Sequence, residues 1–552
     1  MASQACRALP GAELPDPVEA FMKPACSSHL IVALIFAIRL TALAAAQAVP
    51  AGQEPQIRFA KPVTYDTGGL GAGSVAVADL NGDGRLDLIV ADGSNDSYCC
   101  GEVAVLLGNG DGTFQPAAVY GTGAYGATSV AVGDINGDGI PDLVVGNLCL
   151  TENQHGSECE GYGIVSVLLG NGDGTFQPAV TYSTGAYTTL SVALGDSRGD
   201  GILDLVAANY AGASYQAGSA SVLLGNGDGT FQPAANYSTG GQVADSIAIA
   251  DVNGDGVPDL VVANQSQSNG GQEGYVGVLL GNGDGTFQPA VAYDSGGPNS
   301  KSVAVGDLRG NGTLDVVVAD GYDNDNVVGV LLGNGDGTFQ PAVTYLLKGL
   351  GNRGVAIGDV NGDGVPDLVV ITICEKIKGA GCYGDGIVSV LLGNGNGTFQ
   401  SPIAYSSDGY GGLAIAVGDV NGDGRPDIVA TNACGSDSSC SGADGTVAIL
   451  GNETYYASKT ALTSSPNPSQ INQTVTFTAT IASNPPVPNG EVVTFYNGKT
   501  ELGTGATANG VASLTTSFSK AGKYTIKASY PGDPFRKASS ATVKQVVEKA
   551  GK

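Results

Sequence analysis

Seven stretches of the chain share a nine-residue pattern in which acidic and amide side chains alternate with glycine. They begin at Asp79, Asp134, Asp196, Asp251, Asp307, Asp359 and Asp419. In such a loop, positions 1, 3 and 5 direct side-chain oxygens towards one point, position 7 adds its backbone carbonyl and position 9 adds a carboxylate. Glycine at position 6 permits the sharp turn. Because hard oxygen ligands in a flexible loop favour Ca²⁺ over Mg²⁺, the pattern predicts several structural calcium ions.

Five loops keep the full pattern, and position 7 varies freely among them, as expected of a backbone ligand. Their predicted ligands are Asp79, Asn81, Asp83, Arg85 and Asp87; Asp134, Asn136, Asp138, Ile140 and Asp142; Asp251, Asn253, Asp255, Val257 and Asp259; Asp359, Asn361, Asp363, Val365 and Asp367; and Asp419, Asn421, Asp423, Arg425 and Asp427. The alternative is that these loops are acidic turns that hold no metal.

Two loops depart from the pattern because arginine occupies position 3. These residues are Arg198 and Arg309, and the second loop also has Asn311 in place of a carboxylate at position 5. In both loops the guanidinium could replace the ion by pairing with the remaining aspartates. Whether these two loops bind metal is left open by the sequence.

Two other features could do chemistry but have simpler explanations. Repeated Asn-Gly-Asp-Gly segments, such as the one from Asn109 to Gly112, are interpreted as tight turns rather than ion sites, because Asn-Gly and Asp-Gly readily adopt positive φ angles. His155 has no evident partner for catalysis and is interpreted as a surface loop residue.

The loops belong to a larger repeat, which predicts an all-β fold. Each aspartate loop is followed by a Leu-Leu-Gly-Asn-Gly-Asp-Gly-Thr turn or a near variant, and then by a strand such as Phe176 to Tyr182. Four short strands per repeat make one blade, so we expect a seven-bladed β-propeller over residues 59–456. The last repeat lacks its final strand, whereas Phe59 to Tyr65 stands alone before the first. Joining the two closes the ring and disfavours an open solenoid.

Charge is distributed unevenly along the chain. Residues 57–456 contain 44 acidic and 11 basic residues, a net charge of −33, whereas residues 457–552 contain 4 and 10, a net charge of +6. This asymmetry indicates two domains. An acidic surface of this size repels nucleic acid and anionic lipid, so we expect no nucleic-acid partner. The absence of Cys-x-x-Cys makes a zinc site unfavourable.

The first 48 residues are interpreted as a signal peptide region. An apolar run from Leu30 to Ile38 precedes Ala46-Gln47-Ala48, which suits cleavage by a signal peptidase, and Met22 is an alternative start. A membrane anchor is the competing interpretation, although the uninterrupted run is short for a span. Eight later cysteines form close pairs typical of disulfides made outside the cytoplasm, with connectivity open: Cys99 and Cys100, Cys149 and Cys159, Cys374 and Cys382, and Cys434 and Cys440.

The Asp-x-Asn-x-Asp-Gly-x-x-Asp loops alternating with Gly-Asn-Gly-Asp-Gly-Thr-Phe turns resemble FG-GAP or VCBS-type repeats, the units of integrin α-chain propellers and many bacterial surface proteins. This resemblance also implies bound calcium. Residues 458–548 resemble a bacterial immunoglobulin-like domain, notably in Val475 to Thr480 and Ala528 to Asp533. A threonine-rich alternating pattern independently suits a small β-sandwich.

The expected function is a secreted or cell-surface recognition or adhesion module without enzymatic activity. Its ligand, an extracellular glycan or protein, would bind the loops opposite the calcium loops, because variable loops on a rigid scaffold usually carry binding. We expect no transmembrane span in the mature chain, and association with the cell envelope is compatible with the basic C-terminal domain. The alternatives are a polysaccharide lyase or hydrolase on a propeller scaffold and a surface spacer without a specific ligand.

Overall fold

Antiparallel strands dominate the chain because its repeats alternate β-branched residues with glycine-rich turns. The computed structural model describes residues 57–69, 71–93, 100–152, 159–160, 162–210, 218–266, 273–322, 325–378, 381–435, 445–483 and 485–549. The predictions on residues 1–48, Met22 and His155 lie outside these ranges. All the regular elements within them are strands, and the described residues contain no helix long and apolar enough to cross a membrane.

Six of the eight sheets described between residues 63 and 450 divide into seven four-stranded units. Five sheets have four strands, and the sixth has seven because the long strand Ala118–Gly133 serves two successive units. The sheets fit the blades of a propeller, as predicted. In chain order, the first strands of units 1 to 7 are Ala72–Ala78, the second half of Ala118–Gly133, Thr188–Gly195, Ala244–Ala250, Ser300–Gly306, Leu350–Gly358 and Tyr410–Gly418.

The second strands begin at position 9 of each aspartate loop and are fully or almost fully buried over their first six residues. They are Asp87–Asp92, Asp142–Cys149, Asp204–Tyr210, Asp259–Asn264, Asp315–Tyr322, Asp367–Cys374 and Asp427–Cys434. The third strands are Cys100–Leu106, Ile164–Leu168, Gly218–Leu223, Glu273–Leu279, Asp325–Leu331, Ile387–Leu391 and Thr446–Leu450.

The fourth strands complete the units and include the N-terminal strand. In units 1 to 6 they are the first half of Ala118–Gly133, Val180–Ser183, Ala235–Ser238, Val291–Pro298, Val343–Leu346 and Ile403–Ser406. In unit 7 the fourth strand is Val63–Asp66, which pairs with Thr446–Leu450 in the register Val63 opposite Ile449. The N-terminal strand thus fills the vacancy in the last repeat, as the sequence predicts.

The first strands contact one another in a cycle. Each contacts the first strand of the next unit, and Tyr410–Gly418 of unit 7 contacts Ala72–Ala78 of unit 1. The first strands therefore surround a common axis, and the open solenoid is wrong.

A tyrosine on each fourth strand packs edge-on against a phenylalanine of the following unit. Ring centroids lie 5.2–5.7 Å apart and the ring planes cross at 78–89°. This is the arrangement that aromatic quadrupoles favour. The seven pairs are Tyr65 with Phe114, Tyr120 with Phe176, Tyr182 with Phe231, Tyr237 with Phe287, Tyr293 with Phe339, Tyr345 with Phe399, and Tyr405 with Phe59.

Residues 459–548 form two facing sheets. One contains Lys459–Ser465, Thr474–Ala482 and Val511–Ser517, and the other contains Ser469–Gln470, Ser539–Glu548, Gly522–Tyr530, Val492–Asn497 and Thr500–Ala506. Alternate residues of Thr474–Ala482 are buried, and Phe477, Phe495 and Tyr530 are fully enclosed in the core between the sheets. The predicted β-sandwich is therefore present.

Two small sheets lie in the connections between second and third strands. Thr151–Glu152 pairs with Cys159–Glu160 in unit 2, and Lys376–Lys378 pairs with Gly381–Tyr383 in unit 6. These connections include the second cysteines of two pairs noted in the sequence, Cys159 and Cys382.

Replacement of Phe59 by alanine tests the closure of the ring. Phe59 and Phe231 are both 7% exposed and make equivalent tyrosine contacts, one at the seam and one within the continuous chain. We expect Phe59→Ala and the control Phe231→Ala each to lower the free energy of unfolding by about 3–5 kcal/mol, measured by denaturant titration. A much smaller loss for Phe59→Ala than for Phe231→Ala would contradict a closed ring.

Asp320 is predicted to make stability depend on pH. It is fully buried at the sixth position of its strand, and burial raises its pKa to about 7 against hydrogen bonds from Ser300 and Ser295. The folded chain therefore retains a proton that the unfolded chain releases near pH 4. The resulting contribution of Asp320 to the free energy of unfolding is fully present below about pH 4 and is lost as pH rises through about 7. Four units carry asparagine at this position: Asn147, Asn209, Asn264 and Asn432.

We expect Asp320→Asn to gain stability relative to the parent chain as pH rises from 4 to 8, by up to ~4 kcal/mol. Thermal melting across this range measures the difference. Asp66→Asn is the control because it removes an exposed carboxylate from the fourth strand of unit 7, which does not contribute to the raised pKa of Asp320. Parallel pH profiles for Asp320→Asn and the parent chain would rule out the buried carboxyl as the cause.

Candidate metal centre

The aspartate loops connect the first and second strands of each unit, and position 1 organises the loop backbone. In unit 1 the Asp79 carboxylate accepts hydrogen bonds from the backbone N–H groups of Gly82, Asp83 and Gly84 at 2.8–3.2 Å. Position 6, Gly84, has a φ of 80°, which a residue with a Cβ rarely adopts. The invariant glycine at position 6 is therefore explained by the positive φ that the loop backbone adopts there.

Positions 3 and 5 of the same loop are also tied to its backbone. Asn81 Oδ1 accepts from the Asp83 N–H at 3.0 Å, and Asp83 Oδ1 accepts from the Arg85 N–H at 2.9 Å. The loops of units 2, 4 and 6 repeat these contacts within a few tenths of an ångström. The sequence period thus places the oxygens of positions 1, 3 and 5 around one short turn.

Position 9 joins the aspartate loop to the Asn-Gly-Asp-Gly turn. Asp87 is fully buried, and its two oxygens accept from the backbone N–H of Leu80 at 2.9 Å and of Gly108 at 2.8 Å. All seven units have this double acceptor, at Asp87, Asp142, Asp204, Asp259, Asp315, Asp367 and Asp427. The aspartate loops and the turns therefore lie on one face, here called the aspartate face.

The Asn-Gly-Asp-Gly segments are turns, as interpreted from the sequence. In unit 1 the Asn109 N–H donates to the Thr113 carbonyl at 2.9 Å, and the Thr113 hydroxyl donates to Asp111. These contacts hold the pKa of Asp111 below its usual range. The turn carboxylates are thus used within their own turns.

Position 9 carboxylates in the five regular loops are hard to ionise without a counter-charge. Burial raises the pKa of Asp87, backbone hydrogen bonds oppose the rise, and the like charges of Asp83 and Asp79 add to it. The same causes raise the pKa of Asp367 to about 8 and of Asp427 to about 6. These loops therefore concentrate negative charge that a bound cation would stabilise.

The donor set suits a hard cation, although the side chains are not gathered into a site. It consists of carboxylate, amide and backbone oxygens, the ligands that Ca²⁺ prefers. Among the residues that the structure describes, no group of three or more acidic, histidine or cysteine side chains is arranged to hold a metal ion. The predicted ligands of each loop share one short turn without converging on a common point, and their metal binding stays a prediction.

An arginine guanidinium pairs with the position 9 carboxylate in units 3 and 5. The Arg309 guanidinium donates to both oxygens of Asp315, at 2.6 and 3.1 Å, and to the Gly333 carbonyl at 2.8 Å. Arg198 pairs in the same way with Asp204 and also lies 3.1 Å from Asp200. Both loops therefore contain the pairing of arginine with aspartate that was expected if arginine replaces an ion. Whether these two loops also bind metal stays open.

The loop of unit 7 is partly covered by the immunoglobulin-like domain. Arg425, expected to contribute only its carbonyl, buries its guanidinium and donates to Asp423 and to the Pro534 carbonyl. In unit 6 the Gly362 carbonyl accepts from Arg536 at 3.0 Å. Sequence analysis did not find these contacts, because they join segments more than a hundred residues apart.

The opposite face carries the connections between second and third strands, as expected from antiparallel pairing. Near its axis lie three charged side chains, Asp245, Lys301 and Arg353, which the sequence analysis did not identify. All three stand six residues before the first aspartate of their loops. Aligning the seven repeats would have found them, because three consecutive repeats have a charged residue at this position and the other four do not.

Four-stranded sheets around a common axis, each with an acidic loop on one face, define a β-propeller built from sequence repeats. Profiles of the FG-GAP-like repeat match residues 79–145, 151–207, 199–262, 263–318, 310–370 and 380–430, and the FG-GAP repeat matches residues 411–450. The matches cover more than half of the chain, which therefore belongs to the FG-GAP repeat family. The bacterial Ig-like domain (group 3) matches residues 462–548. Both resemblances seen in the sequence are confirmed.

Integrin α chains are among the relatives of this protein. It is 31% identical over 217 residues to integrin alpha-IIb of Mus musculus, covering 36% of this chain and 20% of that protein. For integrin alpha-V of Gallus gallus the identity is 28% over 208 residues, covering 34% and 19%. The alignments thus span about a fifth of these relatives. BBS1N in its crystal structure with ARL6DN, soaked with mercury, aligns with a TM-score of 0.44 and 14% identity, covering 72% of this chain and 97% of that one.

Proposed function

We propose that the protein is an extracellular recognition or adhesion module that is stabilised by calcium and has no enzymatic activity. The observation that carries this proposal is the FG-GAP propeller shared with integrin α chains. A rigid ring with its variable loops on one face is an arrangement that commonly serves binding. The ligand would be a protein or glycan held by the face opposite the aspartate loops.

Calcium in the five regular loops would offset their charge repulsion. Each loop contains three carboxylates and one asparagine, in a region with a net charge of −33. The raised pKa of position 9 in these loops, as at Asp142 and Asp259, supports the need for a cation. The arginine loops of units 3 and 5 supply that positive charge themselves. We therefore assign calcium to the loops beginning at Asp79, Asp134, Asp251, Asp359 and Asp419.

Export is part of the same proposal. Residues 1–48 would be the signal peptide region, and residues 59–456 and 458–548 the two domains. Cys149, Cys374 and Cys434 are fully buried at the ends of equivalent second strands, and we propose that each forms a disulfide. Pairing each with the nearby cysteine of its own insertion, Cys159, Cys382 and Cys440, would brace the ligand-binding loops.

Calcium removal is expected to destabilise the propeller. An ion at a hundredfold excess over its dissociation constant stabilises by about 2.7 kcal/mol per site, and by less at the weaker affinities common outside cells. Differential scanning calorimetry in EDTA and in millimolar Ca²⁺ should give a higher melting temperature with the ion. We expect Asp138→Ala to reduce this calcium-dependent increase and Asp307→Ala, beside Arg309, to change it least. Identical transitions in the two buffers would show that the loops are turns without metal.

Retention on an immobilised panel of glycans and extracellular proteins tests ligand binding. We expect saturable retention of the full chain on at least one member, without turnover of that member. Tyr162, 62% exposed in a loop of the opposite face, is a candidate contact, and Val343 on an outer strand is 50% exposed. Tyr162→Ser should weaken retention, whereas the control Val343→Ser should not. Product release would support the polysaccharide-active alternative, and no retention would support the spacer.

A further inference from the structure

A pocket of about 320 Å³ lies on the propeller axis, and all seven units contribute to it. Each unit supplies the residue six positions before the first aspartate of its loop: Gly73, Thr128, Leu190, Asp245, Lys301, Arg353 and Leu413. These residues lie early in the first strands, which surround the axis. The pocket is therefore at the end of these strands away from the aspartate face. Gly93 and Leu148, which follow or end second strands, line the same pocket and agree with this placement.

The seven axial residues differ far more than their neighbours in the strand. Two positions further along, every unit has valine or isoleucine: Val75, Val130, Val192, Ile247, Val303, Val355 and Ile415. Packing between sheets keeps that position β-branched and apolar. At the axial position the residues range in size from glycine to arginine. Packing between blades therefore does not determine the residue type at this position.

Three consecutive units place charges in this pocket. Lys301 Nζ lies 3.4 Å from Asp245 Oδ1, and these side chains are only 16% and 14% exposed. Arg353 of the next unit is exposed within the pocket. In the described part of the chain, no hydrogen bond or ion pair is formed by the Arg353 guanidinium. The cluster therefore carries one negative and two positive charges, and the donors of Arg353 remain available.

The positive charge of the cluster is incompletely compensated. Burial lowers the pKa of Lys301 against the attraction of Asp245, and burial also lowers the pKa of Arg353. Two neighbouring cations that share one counter-charge repel each other, and an anion beside them would reduce this repulsion. This local excess of positive charge is notable because residues 57–456 have a net charge of −33. The pocket is therefore a favourable place for an anion on the propeller axis.

Apart from Thr128, the rest of the wall is formed by apolar residues and glycine. Leu190 and Leu413 flank the charged residues on either side of the ring, and Leu148 lies near Thr128 of the same unit. Gly73 adds only backbone, and a Cβ there would meet carbonyl oxygens no closer than 3.5 Å. The pocket thus combines a cationic side with an apolar side, and its volume lies at the small end of the range for small-molecule sites.

We propose that the axial pocket binds a small organic carboxylate. The carboxylate would pair with the planar donors of Arg353 and with Lys301, a geometry in which arginine can form two parallel hydrogen bonds. The apolar part of the ligand would lie against Leu190 and Leu413. The proposal does not require the variable loops to bind a macromolecule.

Isothermal titration calorimetry of the full chain with hexanoate tests the proposal. We expect saturable binding of hexanoate at one site, and much weaker binding of hexanamide, which has the same shape without the charge. Inorganic phosphate should also bind more weakly because it lacks an apolar part. Equal affinities for hexanoate and hexanamide, or for hexanoate and phosphate, would overturn the proposal, as would the absence of hexanoate binding.

Variants locate the site. Arg353→Gln should weaken hexanoate binding about tenfold or more, the usual effect of losing a hydrogen bond to a charged group. Arg58→Gln is the control, since it removes the same charge from a side chain that is 77% exposed at the edge of the propeller. Gly73→Val should fill the pocket, which reduces affinity while all three charges remain. Unchanged affinity in the Gly73→Val or Arg353→Gln variant would place the binding elsewhere, whether or not the chain is retained on the macromolecular panel.

Discussion

The edge-to-face contact between tyrosine and phenylalanine of successive units is the interaction on which the ring depends. Each pair joins a fourth strand to the turn of the next unit, so no unit is held by its own hydrogen bonds alone. The pair at the seam, Tyr405 with Phe59, closes the series with an N-terminal residue. One such pair contributes about 0.5–1.5 kcal/mol beyond the area it buries. Seven of them around a closed ring reinforce each other, because no end is free to fray.

A second set of contacts near the opposite ends of the strands also joins neighbouring units. The Thr122 hydroxyl donates to Asn147 of the next unit at 2.7 Å, and Thr239 donates to Asn264 at 2.6 Å. These groups are fully buried, where an unpaired amide or hydroxyl would be costly. Aromatic pairs and buried hydrogen bonds therefore fix the angle between units at two different positions. A rigid arrangement of this kind keeps the axial residues at constant separation.

Much of the fold could be predicted because the same loop, turn and strand patterns recur seven times in the sequence. Strand order, the closing strand at Val63–Asp66 and the backbone role of Gly84 all follow from local patterns and from counting the elements of each repeat. The burial of Arg425 could not be predicted, because it depends on a partner more than a hundred residues away. The positions of Lys301 and Arg353 beside Asp245 were missed for a related reason. Their proximity arises from the cyclic arrangement of strands and not from spacing along the chain.

The attachment of the immunoglobulin-like domain has a mechanical consequence. The Tyr456 N–H donates to the Phe535 carbonyl, and the Lys537 N–H donates to the Tyr456 carbonyl, so this domain is held directly beside unit 7. Among the described units, unit 7 alone combines strands from the two ends of the repeat region. A pulling force on the C-terminal domain would therefore reach the strand pair Val63–Asp66 and Thr446–Leu450 first. Val63 lies opposite Ile449, so the N-terminal and C-terminal sides of the chain leave this antiparallel pair at the same end. Tension between them would therefore open the hydrogen bonds of the seam one at a time and not load them in shear.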